Sequence, residues 1–228
     1  MPLQETFGML DFARARRNMV DNQLRTFDVT DRAVLAAMGE VPRERFMPES
    51  RAPFAYLDRN VSLAETGNEP RWILQPMVLA RAIQALEIDP GAKVLDVATG
   101  YGYSAAIFAA LGASVVALES DPQLGEAARQ RLAGAAPGAE VVIGRLADGC
   151  PDRAPFDAML INGVADTRPE ALLQQLRDGG RLACFEREGA ATYAVLHVRA
   201  GAGFSRRRLF DASVPSLPAF AAEAGFTF

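Results

Sequence analysis

Between residues 93 and 185 the chain alternates short apolar runs with helical patterns, and this alternation restricts the possible folds more than any other feature. Lys93–Val97, Ser114–Leu118, Glu140–Ile143, Asp157–Ile161 and Arg181–Phe185 read as strands. Tyr103–Leu111, Pro122–Leu132 and Pro169–Leu176 read as helices, the second opened by Asp121 and the third closed by Gly179-Gly180. The runs 94–97, 115–118 and 158–161 are nearly continuous in apolar residues, as strands covered on both faces are. Such alternation implies a parallel sheet wound by right-handed crossovers. Thr192–Val198 and Arg206–Asp211 also read as strands, but the gap at Gly201–Gly203 is too short for a parallel crossover. They are expected to form an antiparallel hairpin. The expected class is α/β: a doubly wound, mostly parallel, Rossmann-like sheet with antiparallel C-terminal strands.

The first 50 residues read as helical. Asp11 is a candidate cap for a segment reaching about Leu24, and Thr30 or Asp31 for a second over Arg32–Met38. Val41-Pro42 ends that stretch. Residues 48–71, punctuated by Pro48, Pro53, Gly67 and Pro70, read as a loop. From Gln75, the spacing of Leu79, Ile83 and Leu86 predicts a helix that ends before Pro90-Gly91.

Composition excludes several classes. A net charge of −4 is unlike that of a non-specific nucleic-acid binder. No run approaches the roughly 20 apolar residues of a membrane helix, and the first 30 residues show no secretory h-region. A soluble, cytoplasmic protein is expected, with no nucleic-acid or membrane partner. Two cysteines, Cys150 and Cys184, make neither a disulfide framework nor a zinc cluster. The single histidine, His197, cannot build a two-histidine metal site and reads as a structural strand residue, so no metal is expected. Arg14, Arg16 and Arg17, like Arg206-Arg207-Arg208, read as solvated faces, and Cys184 as a small core residue.

The chemistry gathers at Val94–Ala106, where a strand ends, Gly100 and Gly102 mark a tight turn, and a helix begins near Tyr103. Glycines let backbone approach a ligand, and the first helical N–H groups face the same crevice. Glu119, at the end of the next strand, is placed to accept two ribose hydroxyls. A dinucleotide and S-adenosylmethionine both fit this adenosine geometry. Asp96 favours the second, because an acid there repels a pyrophosphate but suits the ammonium of a methionine moiety. Asn162-Gly163 lies at the same crevice and could touch the methionine end or the acceptor.

The chain resembles the protein-L-isoaspartate O-methyltransferases over about residues 17–218. The anchors are Met19–Leu24, Val34-Leu35, Val41–Phe46, Gln75-Pro76 with its helix, the glycine loop, Ala154–Ala158 and Val214-Pro215. The resemblance implies methyl transfer from S-adenosylmethionine to a side-chain carboxylate of isoaspartyl-containing protein or peptide, a repair function. It also implies an N-terminal helical extension with a substrate-side loop over 1–74 and a methyltransferase domain over 75–228. The cofactor-binding set expected is Asp96, Ala98, Thr99, Gly100, Gly102, Tyr103, Glu119, Arg145, Leu146 and Asn162. No catalytic side chain is expected, since the nucleophile belongs to the substrate.

Three positions depart from the family pattern. Leu74 stands where the family has a serine; Ala64–Arg71 replaces a glycine-rich approach; and Arg145 stands where an aspartate meets the adenine amine. Arginine can only donate, so it cannot replace that acceptor. Two other readings therefore stay open: a methyltransferase with a different acceptor, and a scaffold that has lost cofactor or isoaspartyl binding.

Overall fold

The computed structural model describes residues 11–63 and 70–221. Helix α1 (Phe12–Met19) starts on Asp11, whose carboxylate accepts from the Arg14 N–H, and runs into a wider π turn over Val20–Leu24. Helix α2 (Arg32–Glu40) is capped by Asp31, which accepts from the Ala33 and Val34 N–H groups. Two 3₁₀ turns follow, Arg43–Phe46 and Glu49–Phe54. Where a loop was expected, β1 (Val61–Ser62) pairs antiparallel with β2 (Trp72–Ile73). Strands of two residues are too short to show a periodicity, which is why the sequence does not reveal them. Residues 64–69 of the expected loop lie outside the described residues.

Helix α3 (Pro76–Leu86) carries proline in its first turn, where no N–H is needed. The alternating unit then comes as expected: β3 (Lys93–Val97), α4 (Tyr103–Ala110), β4 (Ser114–Glu119), α5 (Pro122–Ala135, capped by Asp121), β5 (Glu140–Ile143) and β6 (Phe156–Val164). One turn of helix, α6 (Glu170–Leu173), precedes β7 (Leu176–Glu188), β8 (Ala191–Ala200) and β9 (Gly203–Asp211). The helix expected over Pro169–Leu176 is thus cut short. Leu176 is fully buried and already pairs with Phe156, while Ala158 pairs with Arg181, so residues 177–180 bulge out of the strand. Asp178-Gly179-Gly180 is part of that bulge, not a helix stop.

The seven-stranded sheet has the order β5-β4-β3-β6-β7-β8-β9, parallel as far as β7 and antiparallel beyond. The chain winds outward from β3 to β5, then returns to place β6 on the other side of β3. Ligands bind such sheets at this reversal, beyond the strand C-termini. Along β6, Ala158 and Leu160 join one core while Met159 and Ile161 join the other, so both faces are covered. The first core packs α3, α4 and α5 on the sheet and continues into Met19, Leu24, Met38 and Phe46 of the N-terminal helices. The second lies under α6 and the C-terminal Leu217 and Phe220.

His197 is a buried β8 residue whose Nε2 lies 2.7 Å from Glu186. Burial alone would raise the Glu186 pKa, but hydrogen bonds from His197 and Arg206 hold it at about 2. This is a structural pair, as expected of His197, and Cys184 is buried in β7. Among the described residues no helix is long and apolar enough to cross a membrane.

Candidate active site

The C-terminal ends of β3, β4 and β6 converge on the glycine turn. Ala98, Gly100 and Gly102 have φ of +57°, +57° and +89°, a left-handed path that only the glycines adopt without a steric penalty. The turn is held from beneath by Asp96, which is fully buried. Its carboxylate accepts from Thr99 Oγ1 (2.6 Å), Ser104 Oγ (2.7 Å) and Asn162 Nδ2 (2.8 Å). Asn162 also donates to the Val97 carbonyl at 3.0 Å. Asn162 lies within β6 rather than after it, and its amide ties β6 to β3. Burial pushes the Asp96 pKa up, and the three hydrogen bonds oppose this, leaving it at about 6.

Glu119 ends β4 and is also fully buried. Oε2 accepts the Gly100 N–H (3.0 Å), and Oε1 accepts the Ser120 (2.8 Å) and Asp121 (3.3 Å) N–H groups. Its principal partner is Arg71, immediately before β2. Arg71 Nε lies 3.1 Å from both carboxylate oxygens, and Nη2 lies 2.8 Å from Oε1. Nη2 also donates to Ser120 Oγ (2.7 Å) and Nη1 to the Pro70 carbonyl (3.0 Å). The Arg71 and Glu119 side chains are 1% and 0% exposed. Leu63, buried just after β1, closes the space over the turn: a Cβ added to Gly100 would fall 2.7 Å from Leu63 Cδ1.

A hollow lined by Trp72, Ile73, Leu74, Leu79, Thr99, Tyr103, Ser104 and Asn162 holds about 10 Å³, room for one water at most. Ligand pockets run to about 300–1,000 Å³.

The structure therefore brings together eight of the expected residues: Asp96, Ala98, Thr99, Gly100, Gly102, Tyr103, Glu119 and Asn162. The side chains of the other two make no hydrogen bond to the turn, Asp96 or Glu119 among the described residues. Arg145 is 83% exposed, 3.6 Å from Asp148, and Leu146 is buried in the second core. Sequence reasoning missed Arg71 and Leu63. The available signal was an arginine directly ahead of the apolar Trp72-Ile73-Leu74, where a charge entering the fold needs a partner.

Residues 14–203 match the family described as Protein-L-isoaspartate(D-aspartate) O-methyltransferase. The chain belongs to this family. Two curated members illustrate the likeness. The protein-L-isoaspartate O-methyltransferase of Methylorubrum extorquens (strain PA1) is 44% identical over 172 residues, 75% of this chain and 74% of the relative. That of Methanoculleus marisnigri is 39% identical over 170 residues, 74% of this chain and 76% of the relative. A Plasmodium falciparum protein-L-isoaspartate O-methyltransferase, solved in complex with S-adenosyl-L-homocysteine, shares the fold with a TM-score of 0.76 at 20% identity. The match covers 90% of this chain and 98% of that one. Another solved protein-L-isoaspartate O-methyltransferase matches with a TM-score of 0.76 at 22% identity, over 90% of this chain and 65% of that one. The resemblance and the doubly wound methyltransferase fold expected from the sequence are thus borne out.

Within this isoaspartyl methyltransferase fold, the donor set fits a nucleoside cofactor. It offers a buried carboxylate against the turn, glycines without Cβ atoms and a second acid beneath them. Arg71 lies on that first carboxylate and Leu63 over Gly100. Leu74 turns its side chain into the core, and its carbonyl accepts Arg43 Nη2 at 2.6 Å.

Proposed function

We propose that this chain is an S-adenosylmethionine-dependent carboxyl O-methyltransferase that acts on isoaspartyl residues of damaged proteins. The observation that carries this reading is the hydrogen bond between the Gly100 N–H and Glu119, which holds a buried carboxylate directly against the glycine turn. Glu119 and the turn would hold the nucleoside, with Asp96 and Asn162 toward the amino-acid end. When bound, the cofactor supplies an electrophilic methyl on a positively charged sulfur. Transfer of that methyl to the substrate carboxylate would leave the sulfur as the neutral thioether of S-adenosylhomocysteine, still held by Glu119, the turn, Asp96 and Asn162.

The chain itself has little covalent work to do. A side-chain carboxylate is already ionised at neutral pH, so no base is needed. The apolar wall of Ile73, Leu74 and Leu79 excludes water, and the buried Asp96 network keeps the turn rigid for alignment. Both cysteines are free and buried, in keeping with a reducing, cytoplasmic setting. The test is transfer of a labelled methyl group to an isoaspartyl peptide, with the normal aspartyl peptide as control. Label is expected on the isoaspartyl peptide alone; label on neither, with the cofactor bound, would point to a different acceptor.

A further inference from the structure

We propose that Arg71 is an internal plug of the cofactor crevice, and that a nucleoside binds only in exchange for its guanidinium on Glu119. The inference rests on the reading of that crevice given above. An ionised carboxylate offers about four acceptor sites. On Glu119 these are taken by the Gly100, Ser120 and Asp121 N–H groups and by the Arg71 fork. The backbone donors belong to the turn and to the end of β4, so they are fixed with the fold. Among the described residues, Arg71 is the one partner that belongs to a different segment.

The fork presents Nε and Nη2 as two parallel donors to one carboxylate, and a ribose offers two adjacent hydroxyl donors to the same group. The guanidinium thus satisfies Glu119 in the way a diol would. Both cannot be there at once, because Glu119 is fully buried beneath the guanidinium and presents no open face to a second donor pair.

Two features make exchange feasible. Arg71 sits beside a ribbon paired over only two residues per strand, Val61 with Ile73 and Ser62 with Trp72. A ladder of two residue pairs supplies few backbone hydrogen bonds to fix the position of Arg71. The arginine side chain is also long enough to leave the carboxylate by rotamer changes alone. The ion pair is buried, so removing Arg71 without a replacement would leave an orphaned charge. Departure is therefore coupled to arrival of a new donor pair. The plug keeps the crevice dry and closed until the nucleoside comes, and lowers the apparent affinity by the work of displacing it.

The test is calorimetric titration of the full chain with S-adenosylhomocysteine, comparing wild type with Arg71→Gln, combined with NMR of the Arg71 Nε–H. The folded variant is expected to bind at least tenfold tighter. In wild type, the Nε–H should be protected from solvent exchange in the free chain and lose that protection at saturation. Binding by the variant alone supports the plug in its strongest form. Unchanged or weakened affinity in a folded variant overturns the plug and leaves the methyltransferase reading standing, because wild type still binds. Absence of binding in both overturns both. Should Arg71→Gln fail to fold, as judged by near-ultraviolet circular dichroism, the wild-type resonance decides: protection retained at saturation rejects the exchange, and protection lost upholds it.

Discussion

Asp96 combines complete burial with three hydrogen-bond donors, and the balance between the two sets a measurable pH dependence. Its pKa is about 6 in the folded chain against an ordinary value of 3.8. The folded state therefore binds this proton more tightly than the unfolded state. The contribution favours folding fully below pH 3.8 and is lost as pH rises through 6. Asp96→Asn removes the titration. The stability of the variant relative to wild type is expected to rise between pH 4 and pH 7 by on the order of 2–3 kcal/mol, at about 1.4 kcal/mol per pKa unit. Urea denaturation of both proteins across that range checks this, and a flat difference would show that the carboxyl is ionised throughout. Asp96 was legible in the sequence as an acid beside a glycine turn. Its partner Ser104 was not, because nothing in the sequence shows which side of α4 faces the turn.

At the scale of elements, the sequence disclosed what repeats and concealed what pairs once. The strands β3 to β6 came out because each is a short apolar run alternating with a helical pattern or turn, and α2 and α5 came out because Asp31 and Asp121 cap them. The β1–β2 ribbon stayed hidden because its register depends on long-range contacts. So did the bulge at 177–180, since paired glycines stop a helix or bend a strand equally well. The ribbon is tied down by Arg43, a fully buried cation. Its Nε donates to the Ala55 carbonyl (2.7 Å), its Nη2 to the Leu74 carbonyl (2.6 Å), and its guanidinium lies 4.9 Å from the Tyr103 ring centre. One side chain thus joins the second 3₁₀ turn, the end of β2 and the start of α4. Burial lowers its pKa, which the Tyr103 ring partly offsets. Arg43→Met would leave two buried carbonyls without a donor, at about 1–3 kcal/mol each. A loss of roughly 2–6 kcal/mol in urea denaturation is expected; a neutral result would mean that desolvation of the cation cancels its bonds.

Across the whole molecule, the N-terminal helices and the sheet share one core. Phe46 packs on Tyr103 with ring centres 5.7 Å apart, and Met19, Leu24 and Met38 continue the cluster that holds Val94 and Leu160 of the sheet. A chain built this way cannot lose its extension and keep its sheet intact, because the face of α3 and α4 that meets those helices is apolar. The far edge of the sheet is protected differently: β9 carries Arg206, Arg207 and Arg208, and charge on an edge strand discourages pairing with another chain. The consequence for folding can be measured with one substitution. Phe46→Ala opens a cavity at the junction and should cost about 3–5 kcal/mol. In a chain of this size each kcal/mol moves Tm by about 2–4 °C, so a fall of roughly 6–20 °C is expected. That fall should appear as a single transition, with far-ultraviolet and near-ultraviolet circular dichroism coincident. If the variant instead showed an early loss of helix followed by a sheet transition at the wild-type temperature, the extension would be a separate unit and the shared core would not couple it to the site.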